Sequence, residues 1–287
     1  MKIPMLGVSR GGRYSPNHVD NDAAIFEAVC RELQCLGGDV LACTEDEFAG
    51  SCFSGKTVFG MPRSREAVSR LEALERQGSL AVNSASGIQN CRRERLTQLF
   101  VSHKVPCPAS EILVMREGGF VMPSLDFPYW VKRGDSHAMV KEDVCFVACR
   151  EDAEAVLSDF ATRGICSAVV NAHLPGDLVK FYGVAGTGFF YWFYPSSCSH
   201  SKFGLEAING EAEGIPFDAL DLQKTCDRAA AVLGLVVYGG DCIVGKDGQI
   251  RIIDFNDWPS FAPCRDAAAR SIAGYIYGQA LKKWQDG

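Results

Sequence analysis

Two periodicities alternate along the first third of the chain. Ile3 to Val8 is a short apolar run that reads as a strand. Asn21 to Leu36 repeats at helical spacing, with Ile25, Phe26, Val29, Leu33 and Leu36 on one face. Asn21 can cap that helix and Gly37 can end it. Apolar runs at 40–42, 57–61 and 80–82 predict further strands. Ser64 to Gln77 predicts a helix that turns Ala67, Val68, Leu71 and Leu74 inward. Strand and helix in alternation predict a small parallel α/β domain over residues 1–88.

The order changes from residue 89 to 165. A helix from Arg92 to His103 precedes strands at 112–115, 129–133 and 144–149, then a helix from Asp152 to Thr162. Residues 166–287 hold strands at 167–171, 178–184 and 189–194, a helix from Asp218 to Leu233 and a terminal helix from Asp266. Ser196 to Gly214, rich in Gly and polar residues, reads as a long loop, and loops of that length are usually functional or mobile.

Tyr238 to Pro259 (YGGDCIVGKDGQIRIIDFNDWP) carries the densest chemistry. Two apolar runs flank Asp247-Gly248, the signature of a two-residue hairpin turn. With those two residues central, Lys246 pairs with Gln249, and counting back sets Asp241 opposite Asp254. Asn256 follows on the same face, because strand side chains alternate. Opposed carboxylates repel, so something positive is expected between them. Oxygen donors alone (Asp241, Asp254, Asn256) suit a hard cation, Mg²⁺ or Mn²⁺. The competing reading is a surface hairpin with incidental acids, which the apolar neighbours disfavour.

Composition narrows the class. The chain has 287 residues, 47% of them hydrophobic, enough for two or three subdomains. A net charge of −6 argues against nucleic acid or an anionic membrane as partner. No apolar run reaches the roughly 18 residues of a membrane span. The 13 cysteines are odd in number, scattered and free of any Cys-x-x-Cys, which favours buried free thiols in a reducing cytoplasm.

Gly-x-Asp, a hairpin, then acid-x-Asn-x-x-Pro resembles the C-terminal metal-binding hairpin of the ATP-grasp superfamily. The middle acid there is usually Glu, so Asp254 is a departure, and Trp258-Pro259-Ser260 alters the usual Pro-Gly. The resemblance implies a Rossmann-like N-terminal domain, a small β-rich lid and a C-terminal α+β domain, with ATP between the last two. Within it, Asp241, Asp254 and Asn256 hold Mg²⁺, and Lys132, ending Tyr129-Trp-Val-Lys132, matches the lid-strand Lys that reaches the phosphates. The usual Lys at the start of the preceding helix is replaced by the run Arg92-Arg93-Glu94-Arg95. An Arg of this run, Arg95 among them, can serve, since guanidinium also pairs with phosphate; the alternative is a solvated helix end. Gly134-Asp-Ser-His-Ala138 stands where relatives carry a glycine-rich phosphate loop, with Ser136 or His137 as contacts. Val170, Asn171, Ala172 and His173 fall at the hinge that binds the adenine edge, and Lys180 matches a basic residue reaching the terminal phosphate or the substrate.

The loop Ser9-Arg-Gly-Gly-Arg-Tyr-Ser-Pro-Asn-His18 follows the first strand, and ligands gather at carboxyl ends of strands. Arg10 and Arg13 offer planar donors for an anionic acceptor there; the alternative is a surface turn. The resemblance implies an ADP-forming ligase acting through an acylphosphate on a small-molecule or peptide carboxylate, with an amine or thiol as acceptor and a homodimer compatible with the chain. A small-molecule kinase resembling the inositol-phosphate kinases, or a nucleotide-binding module without turnover, are the alternatives.

Overall fold

In the computed structural model, residues 2–15, 19–50, 55–115, 119–136, 138–195 and 208–285 are described. The N-terminal unit is a parallel sheet in the order β2-β1-β3-β4, formed by β1 (Ile3–Val8), β2 (Gly38–Cys43), β3 (Thr57–Gly60) and β4 (Leu80–Val82). Its helices are α1 (Val19–Cys35), α2 (Glu45–Gly50), α3 (Arg65–Arg76) and α4 (Ala85–Asn90). Ile25, Phe26, Val29 and Leu33 of α1 are buried as the spacing predicts, while Leu36 is exposed. Helix α1 starts at Val19, so Asn21 lies inside its first turn rather than at the cap; its amide oxygen accepts from Arg265 at 2.9 Å. Gly37 follows the helix at φ 100°, a conformation Gly alone adopts freely.

A second, antiparallel sheet in the order β5-β8-β6-β7 consists of β5 (Ser110–Val114), β6 (Tyr129–Arg133), β7 (Val144–Val147) and β8 (Ser167–Ala172). Helix α5 (Arg93–Ser102) precedes it, and α6 (Arg150–Thr162) covers it by burying Ala153, Leu157 and Phe160. Hydrogen bonds place β8 between β5 and β6, so this sheet extends to Ala172. Antiparallel partners far apart in sequence leave no local mark.

The third sheet runs β10-β9-β11-β12, from β9 (Asp177–Val184), β10 (Phe189–Phe193), β11 (Val237–Val244) and β12 (Ile250–Asp257). One face packs Val179, Phe181, Cys242 and Phe255 against α5 and α7 (Ala219–Leu233), which Asp218 caps. Helix α8 (Arg265–Gln285) buries Ile272 and Ile276 in a core shared with α1, joining the first and third units. Residues 196–207 of the expected long loop lie outside the described residues. Among the described residues, no helix is long and apolar enough to cross a membrane, and no described cysteine forms a disulfide.

The hairpin between β11 and β12 departs from the expected turn in an informative way. Gly245 pairs with Gln249 (N–H to carbonyl, 3.0 Å), and the Gly248 N–H closes back on the Gly245 carbonyl at 2.8 Å with Gly248 at φ 72°. The loop therefore has three residues, Lys246 to Gly248, with a left-handed Gly at its end. That moves the pairing by one, to Val244 with Ile250 and Cys242 with Ile252. A β-bulge then restores the count, and Asp241 faces Asp254 after all.

Candidate active site

Across the third sheet, Lys180, Asp241 and Asp254 stand side by side on β9, β11 and β12. Lys180 Nζ lies 3.2 Å from Asp241 Oδ1 and 3.5 Å from Oδ2, so an ammonium flanks this carboxylate on the side away from β12. Asn256 Nδ2 donates to Asp254 Oδ2 at 3.0 Å, which leaves its Oδ1 on the other side of the amide. Gly239 and Gly240 precede Asp241 for want of room: a Cβ on Gly240 would meet the Asp254 carbonyl at 2.2 Å.

Two further cations arrive from other elements. Strand β6 carries Lys132 across to β12, where Nζ donates to the Ile253 carbonyl at 3.0 Å. Ile253 is the unpaired residue of the bulge, so the same irregularity that aligns the carboxylates supplies this acceptor. Arg93, at the start of α5, donates to the Arg133 carbonyl at 3.1 Å and lies 3.9 Å from Asp254 Oδ1. Lys132 is 6% exposed. Burial, then Arg93, pull its ammonium down to about 8, against the opposing effect of Asp254 and Asp241. For Asp254, burial pushes upward but is outweighed by Arg93 and Lys132, with help from Asn256 and Lys180, so its carboxyl is held below the usual range. Three cations around two carboxylates leave a positive balance that suits an anion.

These groups line a cleft of about 210 Å³ between the second and third sheets. Its apolar walls are Trp130, Val144, Leu178 and Ile243, a setting for a flat ring. The Trp130 indole N–H donates to His173 Nδ1 at 3.2 Å, which places the proton of neutral His173 on Nε2, and burial lowers the affinity of the ring for a second proton. Of the expected hinge, Asn171, Ala172 and His173 line the cleft, while Val170 is buried within the second sheet. The N–H groups of Ala172 and His173 are already bound to the Ala109 and Pro128 carbonyls. Leu174 and Asn209 line the cleft beside them.

Several expected residues sit elsewhere. Arg95 Nε donates to Asn90 at 3.3 Å on the exposed side of α5, and Arg93 occupies the cleft in its place, because helical spacing turns only one of them inward. Arg13 is exposed, its guanidinium 4.9 Å over the Tyr14 ring, and it does not line the cleft. Arg10 is buried, with Nη1 3.0 Å from Asp22 Oδ2 and Nη2 2.9 Å from the Trp258 carbonyl; it joins the loop after β1 to α1 and to the end of β12, and it does not line the cleft. Pro16 to His18 and His137 lie outside the described residues, and of the described residues in the expected loop 134–138, Ala138 lines the cleft.

Sequence reasoning passed over Arg63, which lines the cleft from the N-terminal unit. Its Nη2 donates to Asp257 Oδ1 at 3.1 Å, one residue beyond Asn256. Buried Glu45 sets the loop that carries it, accepting the Arg63 N–H at 2.5 Å, the Ser64 N–H and the Gly11 N–H at 2.7 Å. Pro62-Arg63-Ser64 has no motif, so only the fold reveals it.

Among the described residues no group of three or more His, Cys, Asp or Glu gathers as a metal cluster. Two carboxylates with an amide oxygen are nevertheless a fitting donor set for a hard divalent ion.

No family model matches the chain, and no curated protein matches its sequence. Solved structures do match. A D-alanine–D-alanine ligase from Bacillus anthracis complexed with ATP superposes with a TM-score of 0.68 at 13% identity, over 99% of this chain and 100% of that one. A RimK domain ATP-grasp protein from Sphaerobacter thermophilus gives 0.66 at 15% identity, over 95% and 99%. The chain has the ATP-grasp fold.

Proposed function

We propose that this chain is an ATP-dependent, ADP-forming ligase that joins a carboxylate to an amine or thiol. The observation that carries the reading is the meeting of Lys132, Arg93 and Lys180 with Asp241 and Asp254 in one cleft between two sheets. The structural neighbour complexed with ATP has the same fold, which supports ATP as the nucleotide. The base would pack on Trp130 and Leu178 and be read by the His173 carbonyl and the Leu174 backbone. Lys132 and Arg93 bind and orient the phosphates by charge-assisted bonds. Asp241, Asp254 and Asn256 would hold Mg²⁺ or Mn²⁺, which would supply charge neutralisation on the phosphates. Lys180 stands at the carboxylate end of the cleft, where the terminal phosphate meets the acceptor.

In this arrangement the cations position the γ-phosphoryl group while a substrate carboxylate oxygen attacks it. The bond to the β–γ bridging oxygen breaks, ADP leaves and an acylphosphate remains. An amine or thiol then attacks the acyl carbon and expels inorganic phosphate, so no nucleophile from the chain is needed. The surface charge and cysteine usage fit a soluble enzyme of the reducing cytoplasm.

The test is a product assay with MgATP, pooled carboxylic acids and pooled amines, scoring ADP, AMP and phosphate separately. ADP with free phosphate, dependent on both pools, is the expected result. ADP without free phosphate would mean kinase chemistry, and AMP would remove both readings.

A further inference from the structure

We propose that Arg63 seats a carboxylate of the acceptor substrate, which rests on the ligase reading above. Arg63 is the contribution of the N-terminal unit to the cleft wall, and its side chain is 7% exposed. Nη2 alone carries its bonds to Asp257, at 3.1 Å to Oδ1 and 3.4 Å to the carbonyl, and buried Nε has no hydrogen-bond partner. A guanidinium has five donors in a planar fork, so this geometry leaves donor capacity unspent in a nearly dry wall. Arg10 Nε is buried and unpartnered as well, and Arg63 differs from it in lining the cleft, where an anion can reach its remaining donors.

The placement is rigid, and it points to the reacting end. Asp257 follows Asn256 on β12, so the guanidinium is tethered to the strand that carries the residues assigned to the metal. Glu45 fixes the backbone of Arg63 and, through Gly11, the neighbouring loop after β1. A Cβ on Gly11 would approach Glu45 Oε2 to 2.6 Å, so that loop is fitted to the same carboxylate. Arg10 lies behind, committed to Asp22 and the Trp258 carbonyl, and adds positive charge without reaching the cleft. A carboxylate matches the fork by two parallel bonds, which a single ammonium cannot reproduce.

The experiment titrates the full chain, saturated with MgADP, with acetate, alanine, succinate, glutamate and inorganic phosphate by calorimetry. Expected is saturable binding of at least one carboxylate, weakened tenfold or more in Arg63→Gln and partly restored in Arg63→Lys, with MgADP affinity changed less than twofold. Arg63→Gln combined with Asp257→Asn removes both charges of the pair and covers the case in which the single variant fails to fold. Equal carboxylate binding in wild type and a folded Arg63 variant, or binding of phosphate alone, would overturn the proposal, as would no binding of any carboxylate to wild type. Failure of wild type to bind MgADP would instead count against the ligase reading.

Discussion

The Asn83 side chain pairs with the backbone of Val237 as a neighbouring strand would. Its Oδ1 accepts the Val237 N–H at 2.8 Å and its Nδ2 donates to the Val237 carbonyl at 2.7 Å. Oδ1 also takes the Val236 N–H at 2.8 Å. Asn83 follows β4 and Val237 opens β11, so one amide ties the N-terminal unit to the strand that carries Asp241. Asn83→Ala leaves the buried Val237 N–H and the part-buried Val236 N–H without that acceptor, while the Val237 carbonyl keeps the Trp258 N–H at 3.1 Å, at a cost of about 2–3 kcal/mol. Urea unfolding measures it; a loss below about 0.5 kcal/mol would show that the tie is replaceable.

Lys132 predicts a pH dependence of its own. Its ammonium titrates near 8 without ligand, and an adjacent phosphate favours the charged form, so nucleotide binding above that pH takes up a proton. Affinity for MgATP is expected to fall from about pH 8 to 9.5 by up to roughly tenfold per unit, with adenosine unaffected. In Lys132→Arg the slope disappears, because a guanidinium stays charged. Calorimetry at several pH values checks both; an unchanged slope in the variant would place the titrating group elsewhere.

Lys132→Met removes the charge outright. MgATP binding is expected to weaken by about 1.5–3 kcal/mol, the scale of a bond to an ionised group. Adenosine binding barely changes, and equal losses for both ligands would assign Lys132 to the fold.

Asp254→Asn is expected to abolish turnover. Relief of repulsion from Asp241 does not dominate its stability, because the surrounding cations already hold this carboxyl below its usual range. A carboxylate with a lowered folded value adds stability above its unfolded value near 3.9 and loses it as pH falls, so the variant is slightly less stable at pH 7. The side chain is 34% exposed, which limits the loss to about 1 kcal/mol. Lys132 loses a stabilising neighbour and titrates below 8. Thermal melts and an ATPase assay read the first two effects, and an unshifted Lys132 titration would contradict the coupling.

Arg10 and Arg13 separate in the same assay. Arg10→Ala strands the buried Asp22 carboxylate and is expected to cost about 3–5 kcal/mol. Arg13→Ala, on the surface, stays within about 0.5 kcal/mol. Comparable losses would mean that the two loop arginines share one role.

The readable part of the site was local. Asp241, Asp254 and Asn256 lie within one hairpin, and Lys132 lies one residue from the end of a strand whose bounds the sequence marks correctly. Helices α2 and α4, each six residues, are too short to show a period, and neither was expected. Arg63 meets Asp257 across 194 positions, and β8 pairs with β5 from more than 50 positions away, contacts that no window of sequence displays. Choosing Arg93 over Arg95 needs the rotation of α5 about its axis, which packing on the third sheet decides.

The three-residue turn and the bulge at Ile253 act as two phase errors of opposite sign. Between them, Ile250 and Ile252 face the core; beyond the bulge the core position is Phe255, three residues on instead of two. A turn shortened by one residue would put the strand back in step only if the bulge vanished with it. Corrected alone, either irregularity would turn Asp254 toward Phe181 and Phe100 and bring Phe255 to the cleft. The hairpin therefore tolerates length changes in pairs, and a lone insertion or deletion anywhere from 242 to 253 should be read out as loss of the carboxylate pair before any loss of the sheet.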